Sequence, residues 1–186
     1  EAAVAGVLDL YRKMYVFREN QRKHVWEKHR DLFEISGKNV GIFGYGSVGS
    51  ECAKRFEAFG ARVVGVNSSC APDKADLLLR ESDIVICALP LTESTRHYFN
   101  AERISRMKPS AVFVNISRGR TVDTIALAHA LADGMLYGAV LDVFEEEPLG
   151  TESPLWDIEN VIITPHNSFV GEGNEERLWG VIRENL

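Results

Sequence analysis

From residue 38 onward, short apolar runs rich in β-branched residues alternate with longer segments of helical spacing. The runs fall at 39–43, 62–66, 83–88, 111–115, 137–141 and 161–163; the helical candidates are 47–59, 74–81, 101–106, 123–133 and 172–186. Runs this short and this apolar predict strands buried on both faces, as in a parallel sheet covered by helices. Ahead of them, Val4, Val7, Leu8, Tyr11 and Met14-Tyr15 predict one helix over residues 1–17 with a broad apolar face. A polar stretch, 18–31, follows and contains Trp26, an aromatic in need of a partner. The pattern leaves two readings of that face open: it caps the core of this domain, or it meets another domain or subunit.

The first apolar run ends in Gly44-Tyr45-Gly46-Ser47-Val48-Gly49, a Gly-x-Gly-x-x-Gly sequence lying between a strand and a helix, with a second strand beyond. In that setting Gly44 permits the tight turn, Gly46 lets the backbone approach a pyrophosphate, and Gly49 lets the helix pack close to the strand. The helix N-terminus then offers N–H groups and a positive dipole end to phosphates. A glycine-rich turn without a ligand is the plain alternative; the strand–helix–strand setting favours dinucleotide binding. The expected fold is therefore α/β: a Rossmann-type doubly wound parallel sheet of about six strands with helices on both faces.

The 186 residues suit one large domain with a sizeable core. A net charge of −6 and the lack of any dense Lys/Arg run argue against a nucleic-acid surface. Cys52, Cys70 and Cys87 are odd in number and far apart, which fits neither a disulfide framework nor a metal site. Free thiols, no membrane-length apolar segment and no basic signal-peptide start lead to the expectation of a cytoplasmic protein without membrane partners.

In a doubly wound sheet ligands gather at the carboxyl ends of the strands. After the successive runs come the glycines, Asn67-Ser68-Ser69, Leu89-Pro90-Leu91-Thr92, Ile116-Ser117-Arg118-Gly119-Arg120, Asp142 to Pro148, and Thr164-Pro165-His166-Asn167. A hydride-transfer site needs a cation to hold a substrate carboxylate and polarise its carbonyl, a group near neutral pKa to exchange the proton, and a carboxylate to orient and tune that group. Arg118, one residue of the acidic run 145–147 and His166 supply these types. Taken singly, each has a plain alternative: a surface arginine, a solvated acidic run, a satisfied surface histidine. The last is the expected reading of His24, His29, His97 and His129.

The motifs around Gly44–Gly49, Ala88–Thr92, Asn115–Gly119, Leu141–Pro148 and Thr164–His166, in this order and spacing, resemble the signatures of the D-isomer-specific 2-hydroxyacid dehydrogenases. That family includes phosphoglycerate dehydrogenase, D-lactate dehydrogenase and glyoxylate/hydroxypyruvate reductase. The resemblance implies Arg118 as the substrate-anchoring arginine, His166 as the acid/base and Glu147 as its paired carboxylate. It implies NAD or NADP as cofactor, with Asp142 near the nicotinamide carboxamide. Further cofactor contacts are expected from Gly44, Tyr45, Gly46, Ser47, Val48, Gly49, Asn67, Ser68, Ser69, Leu89, Pro90, Thr95, Ile116 and Ser117. A homodimer and a small 2-oxo or 2-hydroxy acid substrate are implied as well, and no metal.

Three departures from the family pattern stand out. The family's N-terminal substrate domain has no counterpart here, so the expected organisation is one dinucleotide-binding domain over 1–186, with 1–35 as the interdomain-type helix and linker. Asn67 stands where an acidic residue would hold the adenosine ribose, so NADP should be tolerated or weakly favoured. Asn167 to Gly173 replaces the usual continuation after the histidine. The second functional reading is a non-catalytic NAD(H)-sensing or corepressor module on the same fold.

Overall fold

The computed structural model describes residues 1–184; the last two residues of the expected helix 172–186 lie outside them. The six apolar runs form β1 (Asn39–Phe43), β2 (Arg62–Val66), β3 (Ile84–Cys87), β4 (Val112–Asn115), β5 (Gly138–Leu141) and β6 (Val161–Ile163). They make one parallel sheet in the order β2-β1-β3-β4-β5-β6. The helices are α1 (Ala2–Tyr11), α2 (Met14–Arg22), α3 (Ser47–Ala58), α4 (Pro72–Glu81), α5 (Ala101–Ile104), α6 (Thr124–Ala132) and α7 (Asn174–Glu184). Among the described residues no helix is long and apolar enough to cross a membrane.

Successive side chains of a strand point to opposite faces, and the central strands divide on that rule. Val40, Ile42, Ile84, Ile86, Val112 and Val114 pack with α1 and with Ala53 and Phe56 of α3. Phe43, Val85, Cys87, Phe113, Ala139 and Leu141 pack on the other face with Leu78 and Leu79 of α4, Ile104 of α5 and Leu127 of α6. Apolar runs without alternation are what two covered faces require. The two edge strands depart from the expectation of full burial: β2 alternates between exposed and part-buried positions before Val66, and β6 is part-buried throughout. Each has a neighbour on one side only.

The helix expected over 1–17 is broken in two. Val4, Val7, Leu10 and Tyr11 are buried against the sheet, whereas no residue of α2 is buried. Between them Lys13 takes a left-handed conformation, φ +51°, and its ammonium pairs with Asp31. The amide of Phe33 donates to the Tyr11 carbonyl at 3.0 Å, so the returning chain closes over the end of α1. The apolar face of 4–11 is therefore covered by this domain's own core, which removes it as a surface for another subunit. Trp26, by contrast, is 92% exposed.

α1 approaches the sheet tightly at Gly6, where a Cβ would overlap the Val140 side chain. Gly6→Ala should lower the denaturant midpoint, because overpacking of about 1–3 kcal/mol outweighs the roughly 1 kcal/mol of helix propensity that alanine adds. Adding Val140→Ala should restore most of the loss; a single variant as stable as wild type would mean that α1 sits farther from β5.

Candidate functional site

The chain passes from β1 to β2 on one side of the sheet and resumes with β3 on the other, so a crevice opens beyond the carboxyl ends of β1 and β3. The turn into α3 borders it. Gly44 has φ +101°, and a Cβ on it would overlap the carbonyl of Ala88; a Cβ on Gly49 would overlap the carbonyl of Gly44. These two glycines are required by the protein itself. Gly46 is not: its φ is −96°, and a Cβ there meets nothing within 4 Å. No side chain caps α3 at Gly46 and no acidic residue occupies its first turn. Free N–H groups at a helix start, beside a glycine facing open space, fit the phosphates of a dinucleotide.

Gly44, Gly46, Ser47, Val48, Leu89, Pro90, Ile116, Ser117 and Arg118 line this crevice, whose volume is about 450 Å³. Tyr45 is half exposed and rests its ring on Gly65 of β2, where any Cβ would overlap it. Asn67, Ser68 and Ser69 follow β2 and are exposed. A second cleft, about 700 Å³, adjoins at α3 and brings together Ser47, Val48, Ile116, Arg118, His166 and Ser168.

Arg118 is held by its backbone and left open at its charge. Its carbonyl accepts from the Thr121 hydroxyl at 2.6 Å and from the Asn115 amide at 3.3 Å. Asn115 and Thr121 are buried at 1% and 0% exposure. The guanidinium donates to the Ser117 carbonyl at 2.7 Å, and among the described residues it forms no ion pair. An unneutralised guanidinium in a cleft is a ready partner for a carboxylate.

His166 sits three residues past β6 with φ +50°, the left-handed region that a side chain rarely adopts. Its Nδ1 lies 2.7 Å from Oε2 of Glu147, while Oε1 of Glu147 accepts the Phe144 amide at 2.9 Å. Burial raises the Glu147 pKa, but the Phe144 N–H and His166 together bring it below the usual carboxylate range. The strained turn itself is fixed by Asp142. One carboxylate oxygen accepts from the Thr164 hydroxyl at 2.5 Å and from the Asn167 amide at 2.8 Å; the other accepts the Ser168 amide at 3.0 Å. The Asp142 carbonyl takes the His166 amide at 2.8 Å. Burial pushes the Asp142 carboxyl up, and the donors of Ser168, Thr164 and Asn167 more than offset it, leaving the pKa below the ordinary value.

Three expected cofactor contacts are turned inward. Asp142, 1% exposed, spends both carboxylate oxygens on the His166 turn, so its side chain is a brace beneath the site. Thr95, also 1% exposed, donates its hydroxyl to the Pro90 carbonyl at 2.6 Å and shapes the turn after β3. The Ser117 hydroxyl donates to Asn115 at 2.9 Å and meets the Cys87 thiol at 3.1 Å, both inside the protein. Asn115 and Thr121 were not anticipated as supports for Arg118. Their position beside the arginine in the motif is the one signal that singles them out.

The family model described as "D-isomer specific 2-hydroxyacid dehydrogenase, NAD binding domain" matches residues 4–168. The chain is 42% identical over 164 residues to the glyoxylate reductase of Pyrococcus furiosus, covering 83% of this chain and 48% of that one. It superposes on the D-lactate dehydrogenase of Aquifex aeolicus, solved with NAD and lactic acid, at TM-score 0.86 and 28% identity, over 99% of this chain and 64% of that one. With the D-isomer specific 2-hydroxyacid dehydrogenase of Xanthobacter autotrophicus Py2, solved with NADPH, the TM-score is 0.83 at 32% identity, over 98% and 62%. The chain spans about half the length of the relatives it matches in sequence.

Asp142→Asn should destabilise the protein by about 1–3 kcal/mol near neutral pH, through a buried acceptor replaced by a donor. The Asp142 pKa is lower folded than unfolded, so its contribution is complete above the ordinary Asp value of about 3.9 and is lost as pH falls through the depressed native value. Denaturant unfolding should thus show a gap between wild type and variant that narrows on acidification. A gap independent of pH would mean that the carboxylate charge contributes nothing to the turn.

Proposed function

The chain belongs to the D-isomer specific 2-hydroxyacid dehydrogenase family, and we propose that it is the cofactor-holding domain of an oxidoreductase that transfers a hydride between NAD(P)H and a small 2-oxo acid, with a D-2-hydroxy acid as the reduced product. The observation that carries this reading is the single cleft shared by Arg118, His166 and the start of α3. The Gly44–Gly49 turn holds the pyrophosphate, with Leu89, Pro90 and Ile116 along the crevice beside it. Reduced nicotinamide, when bound, supplies the hydride to the substrate carbonyl carbon. Arg118 takes the substrate carboxylate and draws electron density toward the carbonyl oxygen. Nδ1 of His166 donates to the Glu147 carboxylate, and the transferable proton is the second one, carried on Nε2 and delivered to that oxygen. In the oxidative direction the same nitrogen takes the proton back. Asp142 keeps the His166 turn in place. The free guanidinium and the paired histidine leave the sensor reading with no observation in its favour.

Residues 1–35 act as the interdomain segment of a two-domain enzyme, whose other domain completes the substrate pocket. The partner surface of a homodimer lies along the concavity formed by Phe17, His24, Val25, Trp26 and His29, not along α1. The three unpaired cysteines support a reducing, cytoplasmic setting. With Asn67 after β2, NADP(H) is accepted alongside NAD(H), and Asn67→Asp should shift the ratio of affinities toward NAD(H).

Gly46→Val tests the cofactor site cleanly, because the fold has room for the new side chain whereas the pyrophosphate would not. Calorimetric titration should give weaker NADH binding, with a thermal midpoint close to wild type. Equal affinity in both proteins would remove the glycine turn from the site. In the full-length enzyme His166→Ala should slow turnover about 10²–10⁴-fold, the usual contribution of a general acid/base. Turnover near wild type would require another proton donor.

A further inference from the structure

The proposed chemistry draws on two segments that leave different strands: the turn 117–121 after β4 and the stretch 142–147 after β5. His97, outside both, is bonded to each. Its backbone N–H donates to the Arg120 carbonyl at 2.9 Å. Its Nε2 lies 2.9 Å from Oε2 of Glu145. The other oxygen of Glu145 accepts the amide of Thr124, the first residue of α6, at 3.0 Å. Beside this pair a Cβ on Gly119 would overlap the backbone of Phe144, so the two segments touch directly next to Arg118.

His97 has φ +46°, a conformation that a non-glycine residue keeps only where its contacts over-determine it. Both side chains of the pair are partly open to solvent, 37% for His97 and 28% for Glu145. Such a pair adds little to overall stability. Reaction geometry is far less forgiving than stability, since a displacement of about 1 Å at reacting groups costs on the order of 10²-fold in rate. Glu145 stands two residues before Glu147, and Arg120 two after Arg118. A contact that fixes the first pair of backbones relative to each other fixes the second.

We infer, taking Arg118, Glu147 and His166 as the reacting groups proposed above, that His97 and Glu145 form a clamp that sets the substrate-anchoring arginine in register with the carboxylate orienting the acid/base. His97 is on this account a positioning residue that touches neither substrate nor cofactor.

The full-length enzyme is the material for the test. His97→Ala should lower kcat with a 2-oxo acid about 10- to 100-fold while the dissociation constant for NADH stays within about twofold. His97→Asn tolerates the left-handed backbone but is too short for Glu145, and should lose rate as alanine does. His97→Gln, whose amide reaches toward the position of Nε2, should recover most of the rate. Glu145→Ala should match His97→Ala, and the double variant should be no slower than either, as for two halves of one contact. If His97→Ala destabilises the fold, the Asn and Gln pair carries the same comparison. Wild-type kcat in His97→Asn, or losses that multiply in the double variant, would overturn the clamp. His166→Ala, measured alongside, separates the two levels. An inactive His166→Ala beside an unimpaired His97→Asn sinks the clamp alone, whereas an active His166→Ala sinks the assignment of the reacting groups and the clamp with it.

Discussion

Parallel pairing means that no strand here can be joined to its neighbour by a tight turn; each connection must cross a face of the sheet before the next strand begins. That requirement brings all six carboxyl ends to one rim. It also sets the register in which the chemistry meets. Asn115 of β4 pairs with Leu141 of β5, and Leu141 with Ile163 of β6. Arg118, Phe144 and His166 each stand three residues beyond those paired rungs. Side chains separated by about fifty residues of sequence thus leave a common line, and only short turns are needed to bring Arg118 and His166 to one cleft.

The turns that do the aiming are stiff because their polar groups are satisfied. A buried carboxylate is tolerated only when donors replace the water it has lost. Asp142 has a hydroxyl and two backbone amides on its oxygens, and that same set of bonds holds His166 in a conformation it would not choose. The support under Arg118 follows the same principle with neutral groups, Asn115 and Thr121 converging on one carbonyl. In both cases the side chain is constrained at its base by satisfied polar groups.

How much of this was legible in the sequence depended on whether the cause was local. The strands were, because two covered faces leave an unbroken apolar run; so was the glycine turn, because its Gly-x-Gly-x-x-Gly spacing falls in one continuous strand–turn–helix stretch. The break at Lys13 was not. The apolar spacing continues through Met14-Tyr15, and the partners that close the end of α1, Asp31 for Lys13 and Phe33 for Tyr11, lie in the returning chain. Thr95 and Asp142 were expected at the cofactor because the family resemblance implies it, and neither local pattern shows which way the side chain turns. Their partners, Pro90 for one and the 164–168 turn for the other, become visible only when the loops are folded back. His97 and Glu145 are 48 positions apart, and no periodicity links them.

Tyr45 and Gly65 illustrate a constraint of a different kind. The ring occupies the space that a side chain on β2 would need, so the two positions cannot drift independently. A lineage that acquires even alanine at 65 must first shrink the residue at 45, or expel the ring over the tip of β2 beside Asn67. Substitutions at these two sites should therefore be correlated among related sequences, with bulk at one matched by its absence at the other. The covariation would record a steric exclusion inside the turn, and an account of cofactor preference built on position 67 alone would overlook it.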